Sequence, residues 1–164
     1  KIIAAGNIFT GTFERDGMGG ILTLGRNFEC RPNKLKGYYK YTSAKVSVSK
    51  GHLNEGEDDL CSLYIALTDE QITVNTNKGI YFDPNSSAVI AYGSISDEES
   101  KGADSFKEFT VDLEYKDLKR IPKYIIVVAS SSKYGDYMEG GKGSTMWLDD
   151  LELVYPKSME EVRK

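Results

Sequence analysis

Alternation of apolar and polar residues at a period of two is the feature that most narrows what this chain can become. In Phe106–Tyr115, Phe109, Val111, Leu113 and Tyr115 fall on one side, and Thr110, Asp112 and Glu114 on the other. That is the pattern of a strand with one dry and one wet face. Similar segments run through Ala5–Phe13, Gly20–Phe28, Leu35–Val48, Leu60–Thr68, Val89–Ser96, Tyr124–Ser130 and Thr145–Tyr155, divided by Gly, Asn, Asp and Ser clusters. No stretch keeps a helical period beyond a turn or two. Tyr124–Ala129 is apolar on both faces and reads as a central strand. Eight strands in 164 residues are too many for one flat sheet. The expectation is an all-β, two-sheet antiparallel jelly-roll sandwich forming a single domain over residues 1–156, with residues 157–164 as a frayed tail.

Two segments leave their facing to be decided. In Leu35–Val48, the set Leu35, Tyr39 and Tyr41 is out of phase with Ala44, Val46 and Val48. A β-bulge near Thr42 puts both sets on the core side; without one, the tyrosines face away from the valines. In the last strand, Trp147, Asp149, Leu151, Leu153 and Tyr155 share a parity. If that parity faces inward, Asp149 is a buried carboxylate, to be satisfied by N–H and hydroxyl donors or by a structural calcium.

Composition excludes several classes of function. A net charge of −4 gives no general attraction to nucleic acid. The longest apolar run, Tyr124–Ala129, is too short to span a bilayer. The N-terminal Lys-Ile-Ile-Ala-Ala-Gly is too short for a signal h-region, which is compatible with a leader already removed. A single histidine, His52, removes most metal and general-base chemistry, and its loop reads as solvent-exposed. Cys30 and Cys61 leave two alternatives, a buried free thiol at Cys61 or one bridge. No Gly-x-Ser-x-Gly elbow or EF-hand spacing occurs, and Gly140–Thr145 fails the phosphate-loop pattern, so it reads as a glycine-rich inter-strand loop. The adjacent pairs Asp58/Asp59 and Glu98/Glu99 read as solvated loop carboxylates. Asp149 and Asp150 are neighbours on a strand and point to opposite faces, so they cannot face each other across a glycosidic bond.

The remaining resource is aromatic, with eleven tyrosines and one tryptophan. Flat rings suit the C–H faces of sugars, although Tyr is also a routine half-buried strand residue. The densest mixture of rings and hydrogen-bonding groups is Ser130–Tyr137.

Ser131–Tyr137, followed by Gly140–Tyr155, resembles the C-terminal signature of the family called the putative carbohydrate metabolism domain. Ala5–Phe13 and Arg31–Tyr41 resemble it too, so the likeness covers about residues 5–155. The resemblance implies a jelly roll like those of bacterial carbohydrate-binding modules, in an exported protein at the cell surface or in the periplasm of a Gram-negative bacterium. It brings no enzymatic activity. Members usually carry more chain before the Ala5 segment, which implies a fragment or a missing edge strand here. The expected function is therefore a non-catalytic glycan-binding module, with Lys133, Tyr134, Asp136, Tyr137, Tyr39 and Tyr41 as candidate glycan contacts, Asp149 as a candidate calcium ligand, and no other cofactor. The alternative is a structural or adhesive domain with a protein partner.

Overall fold

The structure is a computed structural model that describes residues 2–17 and 19–157. The expected tail beyond residue 157 lies outside the described residues. The fold is all-β and antiparallel, with strands β1 (Asn7–Phe9), β2 (Gly11–Asp16), β3 (Gly19–Leu24), β4 (Arg26–Asn27), β5 (Lys34–Thr42), β6 (Val46–Val48), β7 (Ser62–Thr68), β8 (Ile72–Asn75), β9 (Val89–Ser94), β10 (Ala103–Asp112), β11 (Glu114–Tyr115), β12 (Tyr124–Ser130), β13 (Gly140–Gly141) and β14 (Thr145–Val154). Among the described residues the α-helical content is one turn, α1 (Asp97–Ser100), closed by a capping box between Ser96 and Glu99.

A six-stranded sheet in the order β1-β12-β7-β9-β11, with β4 also on β12, packs against a three-stranded sheet β10-β5-β14. Leu63, Ile65, Leu67, Ala91, Ile125 and Ala129 of the first meet Leu35, Tyr39, Tyr41, Phe109 and Val111 of the second in the main core. A third sheet, β2-β3-β8, covers part of the opposite face of the large sheet. There Leu24 and Val74 bury Ala66 and Ile126. β12 is apolar on both faces because both faces are covered: Ile125 and Ala129 join one cluster and Ile126 the other. Each fully buried aliphatic of this kind contributes about 1.5–3 kcal/mol.

The third sheet arises where two expected strands break. Ala5–Phe13 divides at Thr10, whose hydroxyl donates to the Ile125 carbonyl and accepts from the Val127 N–H, both at 2.9 Å. The side chain replaces a backbone rung in the β12 ladder, and the chain steps off to a new sheet. Gly20–Phe28 divides at Gly25, which has a φ of +113°.

The structure settles both facing questions. Leu35, Tyr39, Tyr41, Val46 and Val48 are all buried. The phase change is made by the chain leaving β5 after Thr42 and joining the small β6-β13 sheet, not by a bulge within one strand. In β14 the reading of Asp149 is overturned. The register against β5 shifts between Asp149 and Glu152, and Asp150 sits in the left-handed region at φ +49°. Met146, Leu148 and Leu153 pack on the core. Trp147 and Leu151 are exposed, and Asp149 is exposed with them. Among the described residues its Oδ1 accepts only from the Asp150 N–H, at 2.9 Å. The premise of a calcium ligand at this position therefore fails, and no cluster of three or more His, Cys, Asp or Glu suited to a metal occurs among the described residues. Cys30 is exposed and Cys61 buried, and the two are not bonded.

Candidate functional site

The segment after β12 carries most of the expected site, and two buried carboxylates anchor it. Asp59, expected to be solvated, is 1% exposed. Its Oδ2 accepts from the Ser132 hydroxyl (2.7 Å), the Gly141 N–H (2.8 Å) and the Ser144 hydroxyl (2.8 Å), and its Oδ1 from the Leu60 N–H (2.8 Å). Four donors from three chain segments converge on one carboxylate, as burial requires. Asp58 stays exposed and pairs with Lys45. The glycines of Gly140–Thr145 are explained by the same packing. A Cβ at Gly140 would stand 2.5 Å from Ser132 Oγ, and one at Gly141 would stand 2.7 Å from the Ala44 carbonyl. The expected loop thus begins as strand β13, paired with β6.

Glu139 is the second anchor, with no exposed surface. Its Oε2 accepts the N–H groups of Lys50 (2.7 Å) and His52 (3.2 Å), and its Oε1 that of Leu53 (2.5 Å). His52 Nδ1 lies 3.1 Å from Oε2, which selects the tautomer protonated at Nδ1. Burial pushes this carboxyl upward, but the donors from Leu53, Lys50 and His52 outweigh it and hold the group below the ordinary glutamate range.

Glu139 thereby fixes His52, and His52 fixes a row of rings. Its imidazole stacks on Tyr134 (centroids 4.4 Å apart, planes 16° apart) and meets Tyr137 at 4.4 Å. Tyr137 in turn stacks on Tyr81 at 4.1 Å. A second group stands beside this row on the outer face of the large sheet, where Tyr64 stacks on Phe82 at 4.9 Å with Tyr92 at 5.9 Å from Tyr64. The two groups border an open cavity of about 310 Å³, lined by Tyr64, Tyr81, Phe82, Tyr92 and Tyr137 with Ser94, Asp97, Lys133 and Asp136.

The polar groups of this cavity differ in their partners. Lys133 bridges to Asp97 at 3.0 Å. Asp136 has no hydrogen bond or ion pair among the described residues. Asp136 is exposed, and partial desolvation beside the cavity walls raises its carboxyl above the ordinary aspartate range. Its negative charge also acts on the Tyr64 and Tyr137 hydroxyls, whose pKa values are raised first by burial.

Of the expected contacts, Lys133, Asp136 and Tyr137 line this cavity. Tyr134 does not; it supports Tyr137 through His52. Tyr39 and Tyr41 are core residues, 1% and 2% exposed, and offer no ring face to a ligand. Their hydroxyls donate to the Glu99 and Ser131 carbonyls, each at 3.0 Å. Burial pushes the Tyr39 hydroxyl up to about 12. Sequence reasoning missed Tyr64, Tyr81, Phe82, Tyr92, His52, Asp59 and Glu139. The available signal was the parity of Tyr64 and Tyr92, which lie on the strand faces opposite the core residues Leu63, Ile65 and Ala91.

A family profile described as "Putative carbohydrate metabolism domain" matches residues 1–154. Two solved structures are similar to this chain. One is described as a putative glycoside hydrolase from Bacteroides thetaiotaomicron, with 26% identity, a TM-score of 0.71, and coverage of 94% of this chain and 48% of that one. The other is described as a putative glycoside hydrolase from Bacteroides vulgatus, with 26% identity, a TM-score of 0.71, and coverage of 92% of this chain and 64% of that one. The chain thus spans about half to under two thirds of the length of these relatives. No curated protein matches it significantly.

Proposed function

The chain belongs to the putative carbohydrate metabolism domain family, and from that premise we propose that its aromatic cavity is a non-catalytic glycan-binding site in an exported bacterial protein. The observation that carries this reading is the ring-lined cavity itself: five aromatic side chains border one opening that also holds Lys133 and Asp136. Ring faces receive the C–H faces of a sugar, while the lysine and carboxylate supply charged hydrogen-bond partners for hydroxyls. The rings are set before a ligand arrives, because Glu139 locks His52 and His52 sits between Tyr134 and Tyr137. Preorganisation lowers the ordering cost of binding. The domain would serve carbohydrate utilisation at the cell surface or in the periplasm. No helix among the described residues is long and apolar enough to cross a membrane.

The relatives described as putative glycoside hydrolases raise the opposite possibility of a reaction. Glycoside hydrolysis uses an acid and a second carboxylate on either side of the scissile bond. Here Asp97 is held by Lys133 with its side chain 94% exposed, which leaves Asp136 as the one acid lining the cavity without an ion pair among the described residues. That arrangement favours holding a sugar over cleaving it.

Calorimetric titration with a panel of oligosaccharides, and reducing-end analysis of the same samples, tests both parts. At least one oligosaccharide is expected to bind, and Tyr137→Ala to weaken it by roughly tenfold, the scale of losing one anchoring aromatic contact. Affinity unchanged in both Tyr137→Ala and Tyr81→Ala would remove this cavity as the site. New reducing ends, lost in Asp136→Asn, would overturn the non-catalytic reading.

A further inference from the structure

We infer, building on the glycan-binding reading above, that the sugar taken by this cavity carries a protonated amine, seated against Asp136 and the surrounding ring faces. Charge complementarity selects this ligand. Asp59 and Glu139 belong to the same folded unit, and each is met by several donors. Asp97, the other acid lining the cavity, is matched by Lys133. Among the described residues, Asp136 is the one acid of the cavity that no donor meets. Lys133 and Asp97 pair with each other within the cavity lining, so the cavity keeps one uncompensated negative charge, that of Asp136. Asp136 is solvent-accessible, so a ligand can reach its unmatched charge, and a ligand that brings a positive group complements it.

The walls point to the same chemistry. Tyr64, Tyr81, Phe82, Tyr92 and Tyr137 line the cavity. The faces of such rings carry negative electrostatic potential and attract cations. A primary ammonium brings one positive charge and three N–H donors in a compact group, which suits a carboxylate flanked by rings. A neutral hydroxyl can donate to Asp136 but leaves its charge unmatched. A uronic acid or sulfated sugar would meet repulsion. The ligand class is thus an oligosaccharide of amino sugars whose nitrogen is not acetylated.

The test compares three tetrasaccharides by calorimetry: a fully deacetylated glucosamine tetramer, its N-acetylated counterpart and cellotetraose. An amidated trilysine peptide carries the same ammonium groups without a sugar. The wild-type domain is expected to bind the deacetylated tetramer about tenfold or more tightly than the other two sugars, the scale of one charge-assisted hydrogen bond. Raising the ionic strength should shrink that preference. Asp136→Asn keeps the shape and removes the charge. It should abolish the preference for the deacetylated tetramer over the other two sugars, and its circular dichroism should match the wild type. Equal affinity for all three sugars, unaltered by Asp136→Asn, would overturn the amine inference and leave the glycan-binding reading intact. A preference that survives Asp136→Asn or high salt would also overturn it. If trilysine binds and no sugar does, or if nothing binds, the glycan-binding reading falls and this inference with it.

Discussion

Asp136 and Glu139 are three positions apart in the chain, on opposite sides of the same turn. Behind the turn, Glu139 and Asp59 have almost no exposed surface and every oxygen accepts from a donor. In front of it, Asp136 opens into the ring-lined cavity with no donor among the described residues. Burial alone pushes a carboxyl upward, and at Asp136 nothing opposes it. At Glu139 backbone N–H groups and an imidazole reverse the direction. Partners, not burial alone, separate the carboxylates. The two behind the turn hold the chain in place, and the one in front makes no such bond among the described residues.

The largest effect should come from breaking the anchor whose partners cannot reach water. Asp59→Ala orphans the Ser132 and Ser144 hydroxyls and the Leu60 and Gly141 N–H groups. Gly140 and Gly141 pack so tightly there that the donors have little room to turn outward. The expected loss is about 3 kcal/mol or more, read from urea unfolding with an unchanged m-value. A loss below about 1 kcal/mol would mean that water replaces the carboxylate and that the anchoring role is wrong.

Glu139→Gln should cost less, about 2 kcal/mol, because its donors lie on the Lys50–Leu53 turn, which can relax toward solvent. The pH dependence separates the two sides of the loop. Glu139 titrates lower in the folded protein than in the unfolded chain, so its contribution is complete above the unfolded glutamate value and is lost as pH falls through the lower folded value. Asp136 titrates higher when folded, so its ionisation penalises the fold at neutral pH, and the penalty fades as pH falls through its raised value. Glu139→Gln should flatten the acid limb of stability. Asp136→Asn should leave neutral stability unchanged or raise it by at most about 0.5 kcal/mol, since solvent screens an accessible group. Parallel unfolding curves from neutral pH down to the acid limb check both. A destabilised Asp136→Asn would show that Asp136 has an anchoring role after all.

The two sides were unequally legible in the sequence. The front turn announced itself, since Lys133, Tyr134, Asp136 and Tyr137 are a local cluster in a Gly-containing stretch. The anchors did not, because Asp59 is buried by donors 73, 82 and 85 residues away and Glu139 by donors 86 to 89 residues away. An acid in a polar loop reads as solvated until the distant glycines and serines are folded onto it. The strands were legible wherever one parity was clearly apolar, as in β7 and the second half of β10. β8 was missed because four residues, Ile72–Asn75, carry too short a pattern. β2 belongs to a separate sheet because Thr10 substitutes its side chain into a ladder, a step that no alternation pattern records.

The last strand supplies the control for the comparison, an acid that is neither anchored nor enclosed. In β14, Met146 and Leu148 compete with Trp147 and Leu151 for the core face, and alternation alone favours the wrong set. The choice is made at Asp150, whose left-handed φ of +49° absorbs the register shift between Asp149 and Glu152. Asp149 then projects to solvent with one local contact, the Asp150 N–H. Asp149→Ala is therefore expected to change stability by less than about 0.5 kcal/mol, as exposed substitutions do, and calcium or EDTA should leave its unfolding curve in place. At Asp150 the backbone dominates. Aspartate tolerates the left-handed region poorly compared with glycine, but glycine gains entropy in the unfolded chain, so Asp150→Gly should fall within about 0.5 kcal/mol of wild type. A β-branched residue cannot take that conformation without strain, and Asp150→Val should lose about 1 to 2 kcal/mol. Urea unfolding of the three variants tests the order. If Asp149→Ala proves as costly as Glu139→Gln, the strand faces inward at Asp149, and the contrast between anchored and free carboxylates loses its control.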